Sequence, residues 1–233
     1  MTGLTTSSDA AIGIIMLDTT FPRIVGDVGN PATFPFPVRY KVVQGASPQR
    51  LVIEADPSLL QPFIEAGHSL IDAGARAIAT SCGFLALFHQ ELQQALPVPV
   101  FSSSLLQVHL TNSMLQQSQK TGIITARQAS LSTRHLKAIA IDPYPLAIVG
   151  MDQAEEFTSV FIHGKTTMDR QKCAQEMEQA AATLLEQDPN IGAIVLECTN
   201  MGPYSKAIRK LTGLPVYDVV TMINSAHSVV QQN

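Results

Sequence analysis

Ala77-Ile78-Ala79-Thr80-Ser81-Cys82-Gly83-Phe84 and Ala193-Ile194-Val195-Leu196-Glu197-Cys198-Thr199-Asn200 read as two copies of one stretch. The offset of 116, from residue 77 to residue 193, aligns them without a gap and also carries Pro99-Val100-Phe101 onto Pro215-Val216-Tyr217. Each cysteine therefore stands 17 residues before a Pro-Val-aromatic triplet, from 82 to 99 and from 198 to 215. Each copy has the pattern of a buried parallel strand with a cysteine at its carboxyl end, followed by a helix and another strand. A single free cysteine is commonly just a small buried apolar residue. Two at equivalent strand ends are a different matter, because ligands of open α/β sheets bind outside the carboxyl ends of the strands. The repeat predicts that Cys82 and Cys198 face each other across a cleft between two half-folds.

Further out from these stretches the repeat continues. Ala11–Leu17 is a continuous apolar run, as expected of a strand buried on both faces, and it stops at Asp18. Gly122-Ile123-Ile124-Thr125 repeats Gly13-Ile14-Ile15 and is expected to open the second lobe, with Arg127 following where the first lobe has Asp18. Further strands are expected at 40–43, 146–149 and 216–217. Helices are expected at 58–73, 84–95, 103–117, 130–138, 167–187 and 220–230, and the segment up to Gly164 is ambiguous. Between Thr19 and Val38, Pro22, Gly26, Gly29, Pro31, Pro35 and Pro37 exclude a long helix. A loop of that length in a compact domain is usually functional or disordered, and Arg23, Asp27, Asn30 and Thr33 are its candidates for lining the cleft. The fold class is α/β with two lobes: residues 1–115 with 215–233 form the first, and 116–214 the second.

The bulk composition narrows the function. With 45% hydrophobic and 15% charged residues in a 233-residue chain, a sizeable core can form. The net charge of −4 and the absence of any Lys/Arg cluster disfavour nucleic acid as a partner. Three cysteines, an odd number, argue against a disulfide framework. Residues 10–17 are too short to span a membrane, and no basic leader precedes them, so a cytoplasmic protein with reduced thiols and no membrane partner is expected. Cys173 shares an apolar helical face with Met177, Ala181 and Leu184 and is expected in the core. No Gly-x-Gly-x-x-Gly after a strand, Walker loop, Cys-x-x-Cys or His-Glu-x-x-His is present. Six histidines are available to a Cys–His hydrolase, but none sits at a recognisable motif.

Two acid/base groups on opposite sides of a carbon can invert it: one thiolate removes a proton and the opposite thiol supplies one. A free thiol with pKa ~8.5 needs only a modest shift to hold either state near neutrality. Helix N-termini following both cysteines would favour the thiolate and hold a carboxylate.

The paired strand-end cysteines, Glu197-Cys198-Thr199-Asn200 and the Asp18-ended first strand resemble the aspartate/glutamate/hydantoin racemase superfamily. The resemblance implies two Rossmann-like lobes with parallel sheets, related by a pseudo-twofold axis, and a two-thiol mechanism without PLP, metal or other cofactor. It makes Cys82 and Cys198 the acid/base pair of a racemase or epimerase acting on a small amino acid or related carboxylate or hydantoin. Thr199 and Asn200 match polar residues of the family, Asp18 matches an acid closing the first strand, and Arg23, Asn30, Ser81, Gly83 and Phe84 complete the expected substrate-binding set. Gly83-Phe84 stands where amino-acid racemases of the family usually carry Asn-Thr, and Asn200 where His or Glu is frequent, which leaves the substrate open. A maleate-isomerase-like or arylmalonate-decarboxylase-like enzyme of the same fold stays as an alternative, as does a cytoplasmic small-molecule-binding protein. A homo-oligomer is compatible with all of these.

Overall fold

The β1 strand (Ile12–Leu17) consists of six residues, all buried, and this dictates its place. A strand with no solvated face must be covered on both sides, which in a parallel sheet is done by crossover helices. In the computed structural model, which describes residues 10–231, β1 lies inside a parallel sheet between β2 (Val38–Val43) and β3 (Ala77–Thr80), and β4 (Val100–Phe101) pairs with β3. The second sheet has β5 (Lys120–Thr125) between β6 (Leu146–Gly150) and β7 (Ile191–Leu196), with β8 (Val216–Tyr217) beyond β7. The two orders, β2-β1-β3-β4 and β6-β5-β7-β8, are the same arrangement used twice. The expected two-lobe α/β fold with parallel sheets is the observed one.

The repeated glycines of β1 and β5 have a packing cause. The covering helices are α1 (Leu60–Asp72) over the first sheet and α6 (Arg170–Gln187) over the second. A Cβ at Gly13 would meet Leu70 Cβ at 2.9 Å, and one at Gly122 would meet Leu184 Cδ2 at 2.6 Å. In each lobe the glycine lets the helix settle closely on the central strand.

The remaining helices are α2 (His89–Ala95), α3 (Val108–Met114), α4 (Thr133–Ala138), α5 (Glu155–Phe161), α7 (Ser205–Thr212) and α8 (Val219–Val230). Two of them change lobes. Leu105, in the 3₁₀ turn Ser104–Gln107 before α3, and Val108, its first residue, pack with Ile123, Ile139, Ile141 and Val195 of the second lobe, and the Thr111 hydroxyl bonds that of Thr121 at 2.7 Å. Conversely, Val219, Met222, Ile223 and Ala226 of α8 cover Ile12, Ile14 and Met16 of β1. Arg76 Nε donates to the Val230 carbonyl at 2.6 Å and ties down the helix end. At two points the packing crosses the lobe boundaries expected from the sequence: Leu105 and Val108 pack with second-lobe residues, and β8 pairs with β7, so the chain is still in the second sheet at Tyr217.

Local structure departs from the sequence reading in several places, among them the helix expected at 103–117, which is a 3₁₀ turn at Ser104–Gln107 followed by α3. The helix expected at 84–95 is split: Gly83–Phe88 is a 3₁₀ helix, and only His89–Ala95 is α-helical. The ambiguous segment before Gly164 contains α5, whose first turn is acidic and whose Glu156 and Phe157 amides are capped by the Glu176 carboxylate at 2.8 Å each.

Cys173 is fully buried on α6, among Met177, Ala181 and Leu184. Burial pushes its thiol up to about 11. Cys173→Ala is expected to lower stability by about 1 kcal/mol in urea unfolding while leaving the reactivity of Cys82 and Cys198 towards alkylating agents unchanged.

Candidate active site

Beyond Thr80 and Leu196 the ladder runs one residue further in each lobe. Ser81 N–H donates to the Ile15 carbonyl and Glu197 N–H to the Ile124 carbonyl, both at 2.9 Å. The next residue in each strand is the cysteine, released from the sheet and directed at the other lobe. Cys82 and Cys198 line one enclosed cavity of about 20 Å³ together with Phe21, Arg23, Ser81, Phe84, Phe161, Glu197 and Asn200. That volume is room for about one water. A larger hollow of about 630 Å³ lies on the outer side of the second lobe, bounded by Gln128, Asp152 and Gln179, and reaches neither thiol.

The cover is the loop between β1 and β2, and a buried carboxylate organises it. Asp27 Oδ1 accepts from Arg23 Nη1 and from the Gly29 amide, both at 2.7 Å, and Thr33 Oγ1 donates to the Asp27 carbonyl at 2.6 Å. Asp27 Oδ2 accepts from Asn200 Nδ2 at 2.6 Å, joining the loop to the second lobe. Asn200 Oδ1 in turn accepts from Cys198 Sγ at 3.4 Å. Asn200 therefore orients the second thiol and latches the loop at once.

The site residues expected from the sequence separate into two groups. Cys82, Cys198, Arg23, Ser81, Phe84 and Asn200 come together around the cavity. Asp18, Asn30, Gly83 and Thr199 are not among the side chains lining it. Asp18 is exposed, and its carboxylate accepts from the Gly45 amide at 3.0 Å, because the chain turns outward after β1. Asn30 is used within the loop, accepting from Ala32 N–H and donating to the Arg23 carbonyl, both at 2.9 Å. Thr199 Oγ1 donates to the Ser81 carbonyl at 2.6 Å and so ties the two strand ends together. Gly83 has no side chain because Glu197 occupies the space: a Cβ there would collide with Glu197 Oε1 and with its carbonyl. Ser81 also faces inward, with its Oγ accepting from Leu17 N–H at 2.9 Å.

Glu197 lines the cavity, although the sequence reading gave it no role beyond its place in the stretch that carries the resemblance. It is 0% exposed. Oε2 accepts from Thr125 Oγ1 at 2.9 Å and from Ala126 N–H at 3.1 Å, whereas Oε1 is buried without a partner. Desolvation pushes its carboxyl up to about 7, against those two donors. Both cavity thiols are raised as well, by burial first and by the Glu197 charge second. The helix-terminus effect expected to favour the thiolates is outweighed: a 3₁₀ turn follows Cys82, and burial dominates at both positions. The nearest counter-charge is Arg23, which favours the Cys82 thiolate.

A family model for the Asp/Glu/Hydantoin racemase domain matches residues 46–225, a span that holds both cavity thiols and all of the second lobe. The chain belongs to this family. Among curated relatives, the dimethylsulfoniopropionate lyase of Durusdinium sp. clade D is 30% identical over 218 residues, covering 91% of this chain and 72% of that protein. The chain spans only 60% of the length of dimethylsulfoniopropionate lyases 3 and 6 of Emiliania huxleyi. Among solved structures, allantoin racemase from Klebsiella pneumoniae superposes with a TM-score of 0.64 at 14% identity, over 96% of this chain and 91% of that one. Unliganded arylmalonate decarboxylase gives 0.59 at 12% identity, over 96% and 93%. These structural likenesses concern the two-lobe fold. Among the described residues, no group of three or more His, Cys, Asp or Glu could hold a metal ion, and no helix is long and apolar enough to cross a membrane.

Glu197 yields a pH prediction with a definite sign. Its folded pKa, about 7, lies above the ~4.3 of an unfolded glutamate. The stability it contributes is therefore fully present below about pH 4.3 and is lost as pH rises through about 7. Urea unfolding of the wild type and of Glu197→Gln between pH 4 and 8 should show this loss in the wild type only. Parallel curves for the two proteins would contradict it.

Proposed function

We propose that this protein is a cofactor-independent carbon-acid enzyme, in which Cys82 and Cys198 are the acid/base pair acting at the α-carbon of a small carboxylate. The reading rests on one observation, that two strand-end thiols from equivalent points of the two lobes line a single enclosed cavity. In the reaction one thiolate takes the α-proton, the electron pair passes to the substrate carboxylate as an enediolate, and the opposite thiol protonates the other face. The product is the inverted centre, which makes the protein a racemase or epimerase. Arg23 is the cation of the cavity wall. Asp27 and Thr19 fix its guanidinium at 2.7 and 2.9 Å, which suits it to holding the substrate carboxylate. Ser81, Phe84 and Asn200 complete the substrate-facing wall.

A second reading shares the first step. The curated relatives cited above are dimethylsulfoniopropionate lyases, and much of the cavity wall is apolar: Leu17, Phe21, Val52, Phe84, Phe161 and Ile162. Such a wall suits a substrate without an α-ammonium group. If the β-carbon carries a leaving group, the enediolate collapses by expelling it, giving an alkene acid in place of an inverted centre. Elimination needs one thiol as base, whereas inversion needs both.

Incubation in D2O with aspartate, glutamate, hydantoins and dimethylsulfoniopropionate, read by NMR, separates the two outcomes. Inversion leaves α-deuterium in both enantiomers, and elimination leaves acrylate and dimethyl sulfide. For inversion, Cys82→Ser and Cys198→Ser should each lose at least ~10²-fold in rate. Each should still exchange the α-hydrogen of one enantiomer, and the two variants should prefer opposite enantiomers. Racemisation at near wild-type rate by either variant would refute the two-thiol assignment.

A further inference from the structure

Cys82, Glu197 and Cys198 are three acids lining one cavity of about 20 Å³, with relative exposures of 8%, 0% and 9%. Glu197 Oε1 is buried without a hydrogen-bond partner. A carboxylate oxygen in that position is costly, whereas a protonated one is far less so. The space it occupies is made by Gly83, the residue after the first thiol, and the residue after Glu197 is the second thiol, so the carboxyl neighbours both and its charge acts on both. Ser104 Oγ donates to the Glu197 carbonyl at 3.0 Å and holds its backbone in place.

We propose that Glu197 works through the two thiols as a positioning residue, its proton deciding whether either of them can ionise, so that the three acids share a single negative charge. Like charges in an enclosed, poorly solvated space repel strongly. With Glu197 protonated, one thiol can become the thiolate. With Glu197 ionised, the charge of the cluster is already taken and both thiols stay protonated. During turnover the thiolate takes a proton from carbon, its negative charge leaves with the electron pair on the substrate, and Glu197 keeps its proton throughout. The significance for catalysis rests on the acid/base reading of the thiols given above, but the coupling itself does not.

The other charged or titratable groups around the cluster are few. Arg23 and Asp27 face it from the covering loop, acting on Cys82 and Cys198 respectively. Arg127 follows the Ala126 amide on the β5 side, with its Nε donating to Ser130 Oγ at 3.1 Å. His135 of α4 lies edge-on to Phe84, with ring centroids 5.3 Å apart, and burial keeps it neutral by lowering its pKa to about 4. Glu197 is the carboxyl among them that ends β7 directly before a thiol.

Glu197→Gln imitates the protonated state. Its amide oxygen can accept from Thr125 and Ala126, and its NH2 takes the place of Oε1. The test is iodoacetamide alkylation of each cysteine against pH, resolved by peptide mass spectrometry, with no substrate present. In the wild type, the rates at Cys82 and Cys198 should rise less than tenfold per pH unit between about pH 6 and 8, because Glu197 ionises over that range and opposes them. In Glu197→Gln they should rise the full tenfold per unit and be about tenfold faster at pH 8, with Cys173 unchanged as an internal control. Thr125→Val removes one donor to the carboxylate, holds the proton on Glu197 to higher pH, and should displace the flattened segment upward. It also decides the matter if the glutamine variant does not fold. Identical slopes and rates in the wild type and a folded variant would overturn the proposal. A slope change without turnover of any carbon acid would leave the proposal standing and remove the enzymatic reading instead.

Discussion

Where a parallel sheet ends, its last backbone groups lose their neighbours and must find partners elsewhere. In this protein the partners at the two critical strand ends come largely from the other half of the molecule. The Ser81 carbonyl is taken by Thr199, the Glu197 carbonyl by Ser104, and Asn200 reaches across to Asp27. These bonds fix the distance between the lobes at the place where the two thiols meet. They also help to explain why Cys82, Glu197 and Cys198 are buried. Groups that would otherwise call for water are satisfied by protein, and the acids between them are left in a poorly solvated environment that favours their neutral forms.

That environment sets the chemical problem. A thiol pushed above its ordinary range is a poor base at neutral pH until something supplies or withholds charge beside it. Arg23 and Glu197 act on Cys82 with opposite effect, and they approach from different lobes. The covering loop, which carries Arg23, and the protonation of Glu197 therefore bear on the same thiol equilibrium.

Much of this was legible in the sequence because duplication writes the same physical demand twice. Gly13 and Gly122, the two apolar strand runs and the two strand-end cysteines each appear at equivalent positions, and each proved to sit at the same point of its lobe. The half-fold symmetry pointed to α3 and α8 as the helices that pass between lobes, but not to the residues at which they cross, since which sheet an amphipathic helix covers depends on the path of the chain and not on its own periodicity. Asp18 was expected as a substrate contact from the resemblance, at the end of the first strand, and Asn30 from its place in the loop, but the direction of a side chain after a strand depends on the turn that follows. In Asp18 the turn presents the carboxylate to the Gly45 amide. Glu197 was hidden for a different reason. An acid inside an apolar strand end becomes conspicuous only when the residue it displaces, the missing side chain of Gly83, is seen to lie opposite it.

The helix exchange has a consequence for the order of synthesis on the ribosome. One face of the first sheet, presenting Ile12, Ile14 and Met16, is covered by Val219, Met222, Ile223 and Ala226, about two hundred residues downstream. The amino-terminal lobe cannot finish its core until those residues have been made. Up to that point the nascent chain carries an uncovered apolar sheet face, on which premature association competes with the native cover. Pairing contacts between residues so far apart in the chain also makes closure of the fold a late, slow event. The two lobes mature together, and the seam between them, where the thiols lie, is completed only after α8 has been made.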